Sequence, residues 1–189
     1  MGAWSRLLGR LDSVLDVVLC WDERVVRAAR EYPGLRRLSP LFVTASYLGD
    51  GYLWGGLGLG LILFGRPIDR VHVLIGLGIS IVNVAMFRFF KVLIGRRRPE
   101  TEGGSLRFRA MDSYAFPSGH ATTSFGLAWL VSVAYPYPLA IVFVYVVAAT
   151  IAFSRVYVRE HYPLDVIFGA LLGTVTTALM LPFFRWLFF

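Results

Sequence analysis

Apolar residues run almost unbroken over five stretches of this chain, at about residues 41–64, 71–94, 119–135, 139–153 and 164–181. A helix needs roughly 20 apolar residues to cross a hydrocarbon core, and the stretches approach or exceed that length, so each predicts a membrane span. Turn residues separate them: Arg66, Pro67 and Asp69 between the first two, Pro136 and Pro138 between the third and fourth. Residues 10–30 follow a different rule. Asp12, Asp16, Glu23, Arg27 and Arg30 fall in one stripe at helical spacing, and Leu11, Val14, Leu15, Val18, Val25 and Val26 in another. That pattern predicts an amphipathic helix lying on the membrane surface, stopped by Tyr32, Pro33 and Gly34. The expected fold class is therefore an all-α integral-membrane helical bundle with about five transmembrane helices and an N-terminal interfacial amphipathic helix. Residues 1–40 form the interfacial segment and residues 41–189 the membrane-embedded domain.

Composition agrees with this pattern. The 189 residues are 57% hydrophobic with only 16% charged, below the quarter usual in soluble domains, and the mean hydropathy is +0.63. The net charge of +7 comes almost wholly from arginine. With no polar domain large enough for nucleic acid, that charge points to lipid headgroups or phosphate as partners. Cys20 is the single cysteine, so an internal disulfide is excluded. Asp12 and Asp16 interrupt any signal-like apolar core, and the whole chain reads as mature protein.

Some residues break the apolar pattern. Gly51, Gly55, Gly56 and Gly60 recur in the first span at a spacing that predicts close helix packing. Asp50 in the same span needs a partner, and Arg88 in the next is a candidate. Residues 95–116 form a polar loop long enough to be functional, in which Arg96 and Arg97 read as a solvated face beside headgroups. Counting crossings puts the end of the second span, the start of the third, the end of the fourth and the start of the fifth on one side of the membrane. Their polar clusters should meet there.

Those clusters suit phosphoryl chemistry. Pro163 fits the first turn of a helix, which places His161 just before it, beside free backbone N–H groups and the positive end of the helix dipole. Asp165, four residues on, can share a face with His161 and accept from one ring nitrogen. A plainer reading makes the two an interfacial anchor for a helix end. Pro117-Ser118-Gly119-His120 is a second helix start, with Ser118 able to cap and Gly119 able to admit a ligand close to the backbone. Lys91, Arg98 and Arg155 add positive charge that can grip phosphate oxygens. In such a pocket one neutral histidine can attack phosphorus and another can protonate the leaving oxygen. His161, with Asp165, suits the nucleophile; His120, with no carboxylate at helical spacing, suits the acid. Zinc on the two histidines and Asp165 is the weaker reading, since three cations oppose a divalent ion.

Lys91 followed by six residues and Arg98-Pro99, then Pro117-Ser118-Gly119-His120, then Ser154-Arg155, His161 and Asp165, resembles the three-part signature of the type-2 phosphatidate phosphatase superfamily. All three parts are complete and in order. The family comprises integral-membrane lipid phosphatases and shares its site with soluble vanadium-dependent haloperoxidases, against which the spans argue. The resemblance covers about residues 40–185 and implies a metal-independent phosphatase without cofactor. Lys91, Arg98, Ser118, Gly119 and Arg155 would bind phosphate, His120 would be the acid, and His161 would form a phosphohistidine supported by Asp165. The implied substrate is a lipid phosphate or diphosphate: undecaprenyl diphosphate, phosphatidylglycerol phosphate or phosphatidate. Alternatives are a lipid phosphotransferase, a lipid A phosphatase and a non-catalytic protein that binds anionic lipid. Headgroup choice is expected in residues 95–116 and the N-terminal helix. The resemblance implies a site on the outer side of the cell membrane, whereas the arginines, by the positive-inside rule, place it in the cytoplasm.

Overall fold

The computed structural model describes residues 3–99 and 114–188. Eight helices account for nearly all of them: α1 (Ala3–Glu31), α2 (Pro33–Arg37), α3 (Ser39–Leu48), α4 (Tyr52–Phe64), α5 (Pro67–Ile94), α6 (Gly119–Ala134), α7 (Pro138–Tyr157) and α8 (Pro163–Phe188). Among the described residues the one extended pairing is an isolated bridge between Arg97 and Tyr114. Prolines open α2, α5, α7 and α8, where a missing N–H costs nothing.

Helices α5, α7 and α8 are long and apolar enough to cross a membrane. The two other expected crossings are shorter. Helix α6 has 16 residues. The predicted span over residues 41–64 is broken into α3 and α4 by Gly49, Asp50 and Gly51, with Gly51 at φ 108, a left-handed conformation that favours glycine. The break carries Asp50 out of the helical ladder.

The central contact is α6 against α8. A Cβ added at Gly173 would lie 1.9 Å from the Thr122 carbonyl oxygen, and one at Gly126 would lie 2.7 Å from Thr177 Oγ1, so these two backbones touch only because side chains are missing. Asn83 of α5, fully buried, donates from Nδ2 to Thr177 Oγ1 at 3.1 Å and ties the third helix in. Ile75, Ile79, Leu130 and Leu181 fill the space around this contact.

Two expectations need correction. A Cβ at Gly51, Gly55, Gly56 or Gly60 would meet nothing within 4 Å, so these four glycines do not pack a neighbouring helix. Helix α1 is not only a surface helix. Its C-terminal half docks on the bundle, with Val26 and Ala29 buried against Val156 and beside Phe153, Tyr162 and Val166.

These contacts predict opposite outcomes for one substitution type. Gly173→Ala should cost about 1–3 kcal/mol through overpacking, read as a lower unfolding midpoint in detergent. Gly56→Ala should leave the midpoint unchanged or raise it, since alanine is favoured over glycine by up to about 1 kcal/mol inside a helix.

Candidate functional site

The bundle brings Lys91, Arg98, Gly119, His120, Arg155 and His161 around one cavity. Each arrives from a helix end or from a loop just beyond one. Helix α5 delivers Lys91 in its last turn, where Gly95 in the left-handed conformation turns the chain toward Arg98. Helix α6 starts at Gly119 with Ser118 as its cap, the hydroxyl accepting from the Ala121 N–H at 3.5 Å. The last turn of helix α7 carries Arg155, whose carbonyl accepts from the N–H groups of Glu160 at 3.0 Å and His161 at 3.2 Å. That double contact folds the short loop so that His161 points back at the end of α7.

The cations are held by polar neighbours. Lys91 donates from Nζ to the Tyr114 carbonyl at 3.0 Å and lies 5.8 Å from the centre of the Phe87 ring. Arg155 donates to the hydroxyl of Ser46 on α3. Glu160 pairs with Arg98 and lies 3.8 Å from Arg155. Arg159 also lines the cavity, at φ 58, a conformation unusual for a residue with a side chain.

His161 is buried, with Nδ1 facing Asp165 Oδ2 at 3.8 Å. That is too long for a hydrogen bond, and Nδ1 has no hydrogen-bond partner among the described residues. The expected direct bond from Asp165 is therefore absent. Both oxygens of Asp165 are engaged elsewhere: Oδ1 accepts from Arg96 at 2.7 Å and Oδ2 from the Tyr162 N–H at 2.8 Å. Burial, then the charges of Arg155, Arg98 and Lys91, hold the His161 imidazole well below its usual range. The ring is neutral at neutral pH and keeps its lone pair.

His120 has a carboxylate after all. Its Nε2 lies 2.8 Å from Asp50 Oδ1, a partner 70 positions away that helical spacing could not reveal. Asp50 therefore pairs with His120 and not with Arg88, which lines the cavity about one helical turn from Lys91 on α5. The break between α3 and α4 makes this possible by aiming Asp50 into the site.

Two further expectations are revised. Arg96 is no solvated headgroup contact: it bridges two fully buried carboxylates, Asp165 at 2.7 Å and Asp22 of α1 at 2.6 Å, and stacks on Tyr162 at 4.1 Å. At the start of α8, two of the N–H groups expected to be free are already engaged. Asp22 accepts from Leu164 at 3.0 Å and Asp165 accepts from Tyr162. Gly119 lines the cavity, and the Phe87 ring would lie 3.0 Å from a Cβ added there. Ser118 and Asp165 are buried behind the cavity wall, joined by a 2.9 Å bond from the Ser118 N–H to the Asp165 carbonyl. Most of the loop expected to read headgroups, including Arg107 and Arg109, lies outside the described residues.

The cavity is long. Its volume is about 840 Å³, and it runs between α4, which lines it with Trp54, Gly55, Leu57, Gly58, Leu61 and Ile62, and the facing side of α5 and α6, from Lys91 and His161 at one end to His72 and Tyr135 at the other. Nineteen residues of α5 separate His72 from Lys91, about 28 Å at 1.5 Å per residue, close to the thickness of a hydrocarbon core. At the far end Tyr135 donates to Asp69 Oδ1 at 2.7 Å.

The family model of the PAP2 superfamily matches residues 71–189. The lipid A 4'-phosphatase of Bacteroides thetaiotaomicron is 31% identical over 108 residues, covering 53% of this chain and 48% of that protein. The decaprenylphosphoryl-5-phosphoribose phosphatase of Mycobacterium tuberculosis is 31% identical over 111 residues, covering 59% of this chain and 60% of its own length. The chain thus spans about half to three fifths of these relatives. A PAP2-type phosphatidylglycerolphosphate phosphatase from Bacillus subtilis has the same fold, with a TM-score of 0.68 at 24% identity, over 88% of this chain and 86% of that one.

The depressed His161 sets a pH dependence. Below about pH 6.5 the unfolded imidazole takes up a proton that the folded one refuses, so stability is complete above that value and declines as pH falls toward the folded value. The unfolding midpoint should therefore drop more in wild type than in His161→Gln on going from about pH 7 to about pH 5.

Proposed function

The chain belongs to the PAP2 superfamily, and from that premise we propose that it is a metal-independent phosphatase of membrane lipid phosphates, acting through a phosphohistidine at His161. The supporting observation is one cavity with His120, His161, Lys91, Arg98 and Arg155 at its polar end and a bilayer-deep, mostly apolar remainder. The polar end suits a phosphoryl group and the remainder suits its hydrocarbon tail.

The steps follow from the arrangement. Lys91, Arg98 and Arg155 bind the phosphate oxygens and take up the charge that spreads over them during transfer. With Nδ1 of His161 turned toward Asp165, Nε2 is the nitrogen left to attack. Its lone pair forms the N–P bond as the P–O bond to the lipid breaks, and the leaving oxygen takes a proton from His120. Asp50 supplies the negative partner for the imidazolium that His120 is before that transfer. Water then attacks phosphorus, His120 accepts its proton, the N–P bond breaks and phosphate leaves. His161 returns to the neutral state in which burial and the nearby cations hold it. Those cations also oppose a divalent ion, which supports the metal-independent reading.

The relatives named for lipid A and decaprenylphosphoryl-5-phosphoribose support a lipid phosphate as substrate. We assign the chain to the cell membrane, with the site facing outward, on the view that the arginines of this face serve phosphate binding and not topology.

Purified protein should release phosphate from lipid phosphates in the presence of EDTA, should be inhibited by vanadate, and should lose activity by several orders of magnitude in His161→Ala. Unchanged activity in that variant would exclude the mechanism. In spheroplasts an impermeant thiol reagent should label exposed Cys20, at the site end. It should not label a cysteine replacing Arg66 in a Cys20→Ser background, and the reverse pattern would place the site inside.

A further inference from the structure

Residues 1–70 lie outside the family-matched region, yet one of them is built into the support of His161. Asp22 is fully buried on α1 and makes two contacts with the site. Its Oδ2 accepts from Arg96 at 2.6 Å, and its Oδ1 accepts from the Leu164 N–H in the first turn of α8 at 3.0 Å. Arg96 in turn donates to Asp165 at 2.7 Å, and Asp165 faces His161 Nδ1 at 3.8 Å. Burying so many ionised groups is tolerable only when all are paired, and removing one exposes the rest.

The charges add up to a consequence for catalysis. Two carboxylates and one guanidinium leave one negative charge in surplus behind His161. Without Asp22, Arg96 would neutralise Asp165 alone, and nothing would remain to balance a cation on the ring. The Leu164 contact also fixes the start of α8, and so the position of Asp165 one residue later.

We propose that Asp22 is a positioning residue of the reaction: through Arg96 and Leu164 it holds Asp165 behind His161 and supplies the surplus negative charge that the ring needs once phosphorylated. The proposal rests on the phosphohistidine reading above. It makes the N-terminal helix part of the catalytic apparatus and not only a membrane anchor.

Vanadate binding and turnover test it together. Binding stoichiometry counts folded sites, affinity reads the stabilisation of a phosphorane-like species on His161, and turnover is then expressed per site. Asp22→Asn keeps the shape and removes the charge. Per folded site, its kcat and its vanadate affinity should each fall by about tenfold to hundredfold, the range carried by outer hydrogen-bonding partners at other sites, with KM within about twofold because Lys91, Arg98 and Arg155 are untouched. Asp22→Glu, which keeps the charge, should fall less than Asp22→Asn. Val26→Ala loosens the same helix without touching charge, and should lower stability while leaving per-site values at wild type.

Per-site values equal to wild type in Asp22→Asn would overturn the proposal and reduce Asp22 to a docking residue. An increase in KM with kcat intact would also overturn it, as would equal losses in Val26→Ala. If wild-type protein binds vanadate but hydrolyses no lipid phosphate, the phosphatase reading fails while the affinity arm still decides the role of Asp22.

Discussion

Arg96 is the ion on which three separate segments depend. It leaves the end of α5, reaches Asp22 on α1 and Asp165 on α8, and lies flat on Tyr162 in between. A guanidinium can serve two carboxylates at once because its donors form a planar fork, which a lysine does not offer. Both carboxylates are fully buried, so their charges are tolerable only while the fork is in place. The position of His161, four residues before Asp165, is in effect set by this ion triad.

The same economy of charge runs through the rest of the polar end. Asp50 answers His120, Glu160 answers Arg98, and Ser46 answers Arg155. Each pairing joins elements far apart in the chain, and each lies where a low-dielectric bundle meets water. Pairing of this kind keeps the imidazoles and guanidinium groups in place before any ligand arrives, the condition under which electrostatic catalysis is effective.

Much of this was legible in the sequence. The helices from α5 onward follow from runs of apolar residues punctuated by proline, and Lys91, Arg98, His120, Arg155 and His161 could be grouped by counting crossings. What escaped was whatever depended on contact between distant segments. Asp22 reads as one more polar residue of an amphipathic helix, and only the docking of α1 through Val26 and Ala29 reveals that it is buried. Arg96 is indistinguishable in sequence from its neighbour Arg97. Asp50 lies in a run apolar enough to pass for one helix, and the break at Gly51 that turns it toward His120 comes from a backbone choice that composition does not encode. The glycines of α4 have the spacing of a packing motif, yet the motif is used at Gly126 and Gly173 instead.

Two gaps in the wall that α4 gives the slot shape the space inside it: Gly55 and Gly58 line it without side chains, between Trp54, Leu57, Leu61 and Ile62. At each gap the peptide groups, already hydrogen-bonded within the helix, form a shallow recess, and the indole, leucine and isoleucine side chains around it present a contoured apolar surface. The far end, where Tyr135 meets Asp69, is polar. A bulky side chain at Gly55 would project into open space along this wall and narrow the slot.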